Sequence, residues 1–226
     1  MVKKDIVCKA SKMKRKAMLE LYEKYKKQIY NFSLLLSDNE AIAQKSTLNA
    51  LNFAWDRIKM LNISEDEEFF KFAVTDCAKA ILKDKKRNIK SISPEEMLSI
   101  NIEREKYTGD IEKGIGLYKT AIGKLDEEST DLIILYFAGR LELKEISDIL
   151  RVRRGIIKGA FKNSAATFSR MLNKVSIGGT RSDAPTVNQL RSFYREYAKF
   201  TSYPEELDKE CILNIKKKSK FRLWQK

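Results

Sequence analysis

The 226-residue chain contains no histidine, and this absence excludes a Ser-His-Asp triad, a Cys-His pair and any zinc site with histidine ligands. Its three cysteines, Cys8, Cys77 and Cys211, are odd in number and far apart in sequence. They therefore predict no disulfide framework and no metal site, and they indicate a reducing cytosol. A glycine-rich phosphate loop is also missing. We expect a protein that is not an enzyme and that has no catalytic residue, cofactor or metal.

Long apolar runs are absent as well. No stretch of the sequence reaches the length of a transmembrane helix, and the N-terminal sequence MVKKDIVCKASKMKRK lacks the apolar core of a signal peptide. We expect a cytoplasmic protein that does not insert into a membrane.

Proline and glycine are scarce, with three and nine residues, and they leave long runs of helix-forming sequence. Apolar residues recur at steps of three and four along these runs, which predicts an all-α protein. The run LIILYF (132–137) is apolar on nearly all sides, so its helix should be buried. Capping residues in SDNE (37–40) and at Asp126 mark helix starts. The predicted helices include 13–36, 40–60, 67–86, 142–150, 153–173, 187–200 and 204–217, with a short helix starting near Ser93.

The helices and the breaks between them predict two small helical domains, a linker and a helical C-terminal extension. The net charge of +14 is carried mainly outside the linker, which is mildly acidic. Such a balance indicates a polyanionic partner, although a basic surface without a specific partner has the same composition. The predicted boundaries are 13–87 for the first domain, 88–116 for the linker, 117–174 for the second domain and 175–226 for the extension.

The second domain contains a short helix (142–150), a tight turn (151–152) and a longer helix (153–173), which is the pattern of a helix-turn-helix. Seven lysines and arginines and no acid lie between Ile149 and Lys174. The apolar side of the long helix should pack inward, and Gly155 and Gly159 fall on the opposite side. An acid there would repel phosphate, so the pattern favours DNA binding over a merely basic amphipathic helix. The candidate DNA-binding residues are Arg153, Arg154, Lys158, Lys162 and Asn163.

Residues 125–172 resemble region 4 of bacterial sigma factors, most of all the small extracytoplasmic-function group. The stretch LYEKYKKQIYNFSLLLSDNEA, followed by ALNFAW and a Phe-rich third helix, resembles region 2 of the same family. Together the two stretches cover about two thirds of the chain. The region 4 positions in register are Leu125, Leu141, Glu145, Ile146, Leu150, Val152, Gly155, Ile157 and Lys158.

The resemblance implies a factor that binds core RNA polymerase, recognises promoter DNA and initiates transcription, with an anti-sigma factor as a further partner. It implies that Gln44, Lys45 and Asn49 contact polymerase, because they stand in the stretch IAQKSTLN (42–49), where the family has an acidic cluster. Region 4 also departs from the family: Arg151 replaces a turn glycine, Ile156 a threonine and Ala160 a frequent arginine. Base readout at these positions should therefore differ.

Two other functions fit the same sequence. One is a sigma-derived helix-turn-helix regulator that binds DNA but no longer docks on polymerase, and the other is an interaction module whose basic surface meets acidic proteins. For the extension, the aromatic residues at helical spacing predict a small hairpin packed on the region 4-like domain. A regulatory segment that masks DNA or polymerase contacts is the alternative. Trp55 and Phe72 are expected in the core rather than on a DNA strand.

Overall fold

The computed structural model describes residues 10, 15–58, 66–89, 121–175 and 187–220. Within these ranges the regular elements are helices, and no strand occurs. The all-α prediction is therefore confirmed for the described residues. The helices are α1 (Arg15–Ser37), α2 (Glu40–Arg57), α3 (Asp66–Ile89), α4 (Glu127–Ile133), a π-helical segment (Ile134–Ala138), α5 (Leu143–Leu150), α6 (Arg154–Val175), α7 (Val187–Phe200) and α8 (Glu205–Lys220).

Contacts along the chain separate two compact units: residues 1–81 with 198–226 form the first unit, and residues 82–197 form the second. The core of the first unit is built from the apolar sides of α1, α2 and the beginning of α3. Its largest fully buried side chains include Trp55, Tyr22, Phe32, Phe69 and Phe70. The indole of Trp55 and the ring of Phe69 lie with centroids 4.6 Å apart, which places two large apolar surfaces out of water.

Helix α2 starts where the sequence predicts, at a turn after α1. The Asn39 side chain accepts a hydrogen bond of 3.0 Å from the Ile42 amide and so satisfies one of the free donors of the first helical turn. Asp38 precedes it with a positive φ of 49°, which closes the turn. The short reversal allows α1 and α2 to pack against each other along their apolar sides.

The second unit is centred on the apolar run 132–137. Ile133, Ile134 and Leu135 are almost completely buried, so the prediction that this run lies between other helices is confirmed. The helix that leads into the run, α4, begins after Asp126, whose carboxylate caps it by accepting a hydrogen bond of 2.7 Å from the Ser129 amide. The run ends in a π-helical turn, in which the Gly139 amide donates to the Ile134 carbonyl at 3.0 Å.

The C-terminal helices differ from the predicted hairpin on the region 4-like domain. Helix α8 packs on α1 and α2 of the first unit, where it buries Leu207, Cys211 and Ile215. The beginning of α7 belongs instead to the second unit, where the Arg191 guanidinium lies 5.0 Å from the centroid of the Tyr136 ring. Of the aromatic residues predicted to form core here, Tyr194 is buried and Tyr197 and Tyr203 are half-buried, so the prediction is confirmed for Tyr194.

Several predictions fall on parts of the chain outside the described residues. They are the short helix near Ser93, most of the linker 88–116 and the basic end KKKSKFRLWQK beyond residue 220. For the described helices, the predicted ends lie within about three residues of the observed ones.

Candidate nucleic-acid interface

Helices α5 and α6 are joined by a turn with three internal hydrogen bonds. The Arg151 and Val152 amides both donate to the Ser147 carbonyl. The Ser147 hydroxyl donates a hydrogen bond of 2.6 Å to the Val152 carbonyl. Arg151 takes the left-handed conformation at this point, with φ 56° and ψ 40°. These bonds satisfy the Ser147 carbonyl at the end of α5 and the Val152 carbonyl in the turn, and they fix the direction in which α6 starts.

The start of α5 is fixed in a similar way. The Glu145 carboxylate accepts a hydrogen bond of 2.6 Å from the Glu142 amide, which is one half of a capping box. Ile146 then points into the core and is fully buried. The short helix is thus held at both ends and along its inner side.

One side of α6 is bound to the core of the second unit. Ile157 and Phe168 are buried, as the apolar spacing predicts. The ring of Phe161 lies against Tyr136, with 4.3 Å between centroids, and the Ser164 hydroxyl donates to Ser129 Oγ at 2.9 Å. These contacts determine which face of α6 remains outside.

Every residue predicted to bind DNA lies on the exposed face of α6 or, in the case of Arg153, immediately before the helix. Arg153, Arg154, Lys158, Lys162 and Asn163 are all exposed. Neither Asp nor Glu occurs in the sequence from Leu150 to Val175. Helix α6 therefore presents an acid-free basic surface that is held outward by the packing of its opposite side.

Gly155 and Gly159 lie in the middle of this face. A Cβ atom added at either glycine would meet nothing within 4 Å. Packing inside the protein therefore gives no reason for glycine at these positions, although Gly159, inside the helix, destabilises it by roughly 1 kcal/mol relative to alanine. The free space leaves the α6 backbone open to a close approach from outside.

The three residues predicted to contact polymerase lie on α2, and two of them are accessible. Lys45 and Asn49 are exposed one turn apart. Gln44 is half-buried, and its amide donates to the Glu40 carboxylate at 3.3 Å. The structure therefore brings Lys45 and Asn49 to a common surface and leaves Gln44 at its edge.

The sequence-based interpretation missed two residues that extend this surface. Phe53 is 36% exposed, and its ring stacks on Phe72 with centroids 5.5 Å apart and planes 15° apart. The Arg57 guanidinium lies 4.6 Å from the centroid of the Phe53 ring. The sequence spacing could have indicated both residues, because positions 45, 49, 53 and 57 recur at steps of four and share one side of α2.

The predicted core positions on α2 and α3 have different environments. Trp55 is buried, in agreement with the prediction, whereas Phe72 is only half-buried and forms the stack with Phe53. Beside this stack, burial raises the pKa of the Asp76 carboxyl, and the charges of Lys79 and Arg57 oppose the shift. The surface around Phe53 thus combines aromatic, cationic and anionic groups.

Among the described side chains, no group of three or more cysteines and acidic residues is arranged to hold a metal ion. In the same part of the chain, no helix combines the length and the apolar character that crossing a membrane requires.

No protein-family model matches the chain, and no curated protein matches it either.

Proposed function

We propose that the protein is a promoter-recognising transcription initiation factor, similar to the extracytoplasmic-function sigma factors, that binds core RNA polymerase and DNA. The observation that carries the proposal is the exposed, acid-free basic face of α6 in a helix-turn-helix. A helix of about 10–12 Å diameter fits the major groove of duplex DNA, which is roughly 12 Å wide.

The arrangement of charges suggests a role for each side chain. Lys158 and Lys162 lie on one flank of the exposed face and would contact phosphates, which position the helix without reading sequence. Arg153 and Arg154 lie at its N-terminal end, where a guanidinium can pair with both acceptors of a guanine. Asn163 lies two turns along the face from Ile156, and its amide matches the major-groove edge of adenine.

For polymerase docking, we propose the α2 surface formed by Lys45, Asn49, Phe53 and Arg57. Phenylalanine and arginine are enriched at protein-protein interfaces relative to the rest of the protein surface. Phe53 has the required exposure, and Arg57 lies against its ring. An anti-sigma factor as a further partner stays a prediction.

A second function is a DNA-binding regulator that does not dock on polymerase. It is favoured by one observation: the stretch IAQKSTLN (42–49) has no carboxylate where the sigma family has an acidic cluster. The two functions share the α6 surface and differ in the use of the α2 surface.

Mixing the full chain with bacterial core RNA polymerase distinguishes these two functions, because only the initiation factor should form a complex with the polymerase. We expect the protein to co-elute with core polymerase at low salt, and we expect Lys45→Glu and Phe53→Ala to weaken the complex. Lys209→Ala is the matched control, since Lys209 is exposed on α8 and pairs with Glu205 at 2.6 Å. DNA binding without co-elution would leave only the regulator.

The DNA surface is tested by titrating duplex DNA at several salt concentrations. In each of the single variants Lys158→Ala and Lys162→Ala, the slope of log affinity against log salt should fall in magnitude by about 0.9. The loss of affinity should be similar for all DNA sequences. Lys209→Ala should keep the wild-type slope. Weak, salt-insensitive DNA binding would contradict both DNA functions and favour a module that binds acidic proteins.

A further inference from the structure

The exposed face of α6 contains an apolar side chain that the fold does not use. Ile156 is 61% exposed, more than the other large hydrophobic residues found exposed in the described ranges, Leu213 at 48% and Phe53 at 36%. Its neighbour Ile157 is 4% exposed and already supplies the core contact at this turn. A single exposed isoleucine is common on protein surfaces, so the inference rests on the place of Ile156 on the basic face of α6 rather than on its exposure alone.

Ile156 has a definite place on the exposed face. At 100° per residue, Gly155, Gly159 and Ala166 run along the centre of the face, and Lys158 and Lys162 lie on one flank. Ile156 and Asn163 are seven residues apart and therefore share the other flank. The face thus has a cationic edge and an edge that combines an apolar side chain with an amide.

Charge complementarity selects the partner of this face. Lys158 and Lys162 lie on the opposite flank of the same exposed face, Arg153 and Arg154 lie at its N-terminal end, and α6 contains no acid. A polyanion is therefore favoured over an apolar protein groove. Double-stranded RNA is disfavoured, because its major groove is too deep and narrow for side chains to read.

The major groove of DNA presents one apolar group on its base edges, the 5-methyl group of thymine. We propose that Ile156 is a specificity-determining residue that contacts the 5-methyl group of a thymine when α6 lies in the major groove. The inference rests on the DNA binding proposed above. The open space at Gly155 and Gly159 allows the approach that such a contact needs.

Replacing thymine with deoxyuridine tests the contact directly, because the two bases differ only by this methyl group. A preferred duplex is first selected from random sequences with the full-length protein, and each thymine is then replaced in turn. We expect one replacement to weaken binding by about threefold to tenfold, as loss of a buried methyl contact does. The Ile156→Ala variant should bind the original duplex more weakly than wild type. Replacing the sensitive thymine with deoxyuridine should not weaken the binding of this variant further.

Leu213→Ala is the matched control, because Leu213 is also exposed and apolar but lies on α8. It should keep the sensitivity to deoxyuridine. Since Ile156 contributes little to the core, Ile156→Ala should unfold at the wild-type temperature.

The outcomes separate this inference from the function on which it rests. Absence of DNA binding overturns the proposed function together with the inference. Sequence-selective binding that tolerates every deoxyuridine replacement overturns the role of Ile156 alone, and so does a methyl effect that persists in Ile156→Ala.

Discussion

Arg151 holds a backbone conformation that costs an L-amino acid about 1–2 kcal/mol relative to the right-handed region. Its φ of 56° allows the turn between α5 and α6 to close through the Ser147 carbonyl. The side chain is exposed, so no core contact requires arginine at this position. The turn therefore keeps the left-handed conformation that glycine adopts most easily, although arginine adopts it at a cost. The arginine adds one more positive charge beside α6.

Replacing Arg151 with glycine should therefore stabilise the protein. We expect Arg151→Gly to raise the free energy of unfolding by about 1 kcal/mol, because glycine adopts positive φ without strain. Urea denaturation measures the change. Arg151→Ala removes the same charge but keeps the strained φ, so it should show no gain. Equal stability of the glycine and alanine variants would mean that charge, and not backbone conformation, determines the effect.

Single residues show where the sequence was informative and where it was not. The exposed position of Lys158 and Lys162 could be predicted, since it follows from their spacing to the apolar stripe. The stack of Phe53 on Phe72 could not, because Phe72 lies on another helix and the contact depends on how α2 and α3 pack. Periodicity assigns a residue to a side of its own helix and does not specify its neighbours.

Helix α8 illustrates this limit for a whole element. Its bounds could be predicted from local pattern, but its packing on α1 and α2 depends on a polar cluster between distant residues. The Tyr22 hydroxyl donates to Asp208 Oδ1 at 2.8 Å, and Lys26 Nζ donates to the same atom at 2.8 Å. The Lys26 ammonium also lies 5.1 Å from the centroid of the Tyr22 ring and 5.5 Å from that of Tyr203. No sequence motif indicates this cluster.

The cluster makes the attachment of α8 dependent on pH. Burial raises the pKa of Asp208, but the hydrogen bonds from Lys26 and Tyr22 outweigh it and hold the pKa below its usual value. A carboxyl with a lowered pKa in the folded state stabilises the fold above its unfolded pKa of about 3.9, and this contribution is lost as pH falls through the folded pKa. Acid should therefore loosen α8.

We expect Asp208→Asn to lower the free energy of unfolding at pH 7 by about 1–3 kcal/mol, because Lys26 and Tyr22 lose a charged acceptor. The difference from wild type should shrink as pH falls below about 4. Urea denaturation across pH measures both effects. Glu206→Gln, an exposed carboxyl on the same helix, should leave the pH profile unchanged. If the difference in free energy of unfolding between Asp208→Asn and wild type were the same at every pH, the ion pair between Asp208 and Lys26 would not contribute to stability.

At the scale of the whole molecule, the boundaries between the two units fall inside helices α3 and α7. Glycine, proline and charge changes indicate where the chain turns, whereas membership of a unit depends on packing. The end of α3 belongs with the second unit, where Lys85 Nζ donates to Asp131 Oδ1 at 2.8 Å. Helix α7 likewise contributes its first residues to the second unit and its last to the first.

Because each unit has its own core, we expect thermal unfolding of the full chain in two transitions. Ile29 in the first unit and Ile133 in the second are both fully buried, so Ile29→Val and Ile133→Val should each destabilise one unit by about 0.5–1.5 kcal/mol. For units of somewhat more than 100 residues, a loss of 1 kcal/mol lowers the midpoint by about 4 °C. Differential scanning calorimetry should show each substitution moving a different transition. A single transition lowered equally by both substitutions would mean that α3 and α7, which contribute residues to both units, couple them into one cooperative structure.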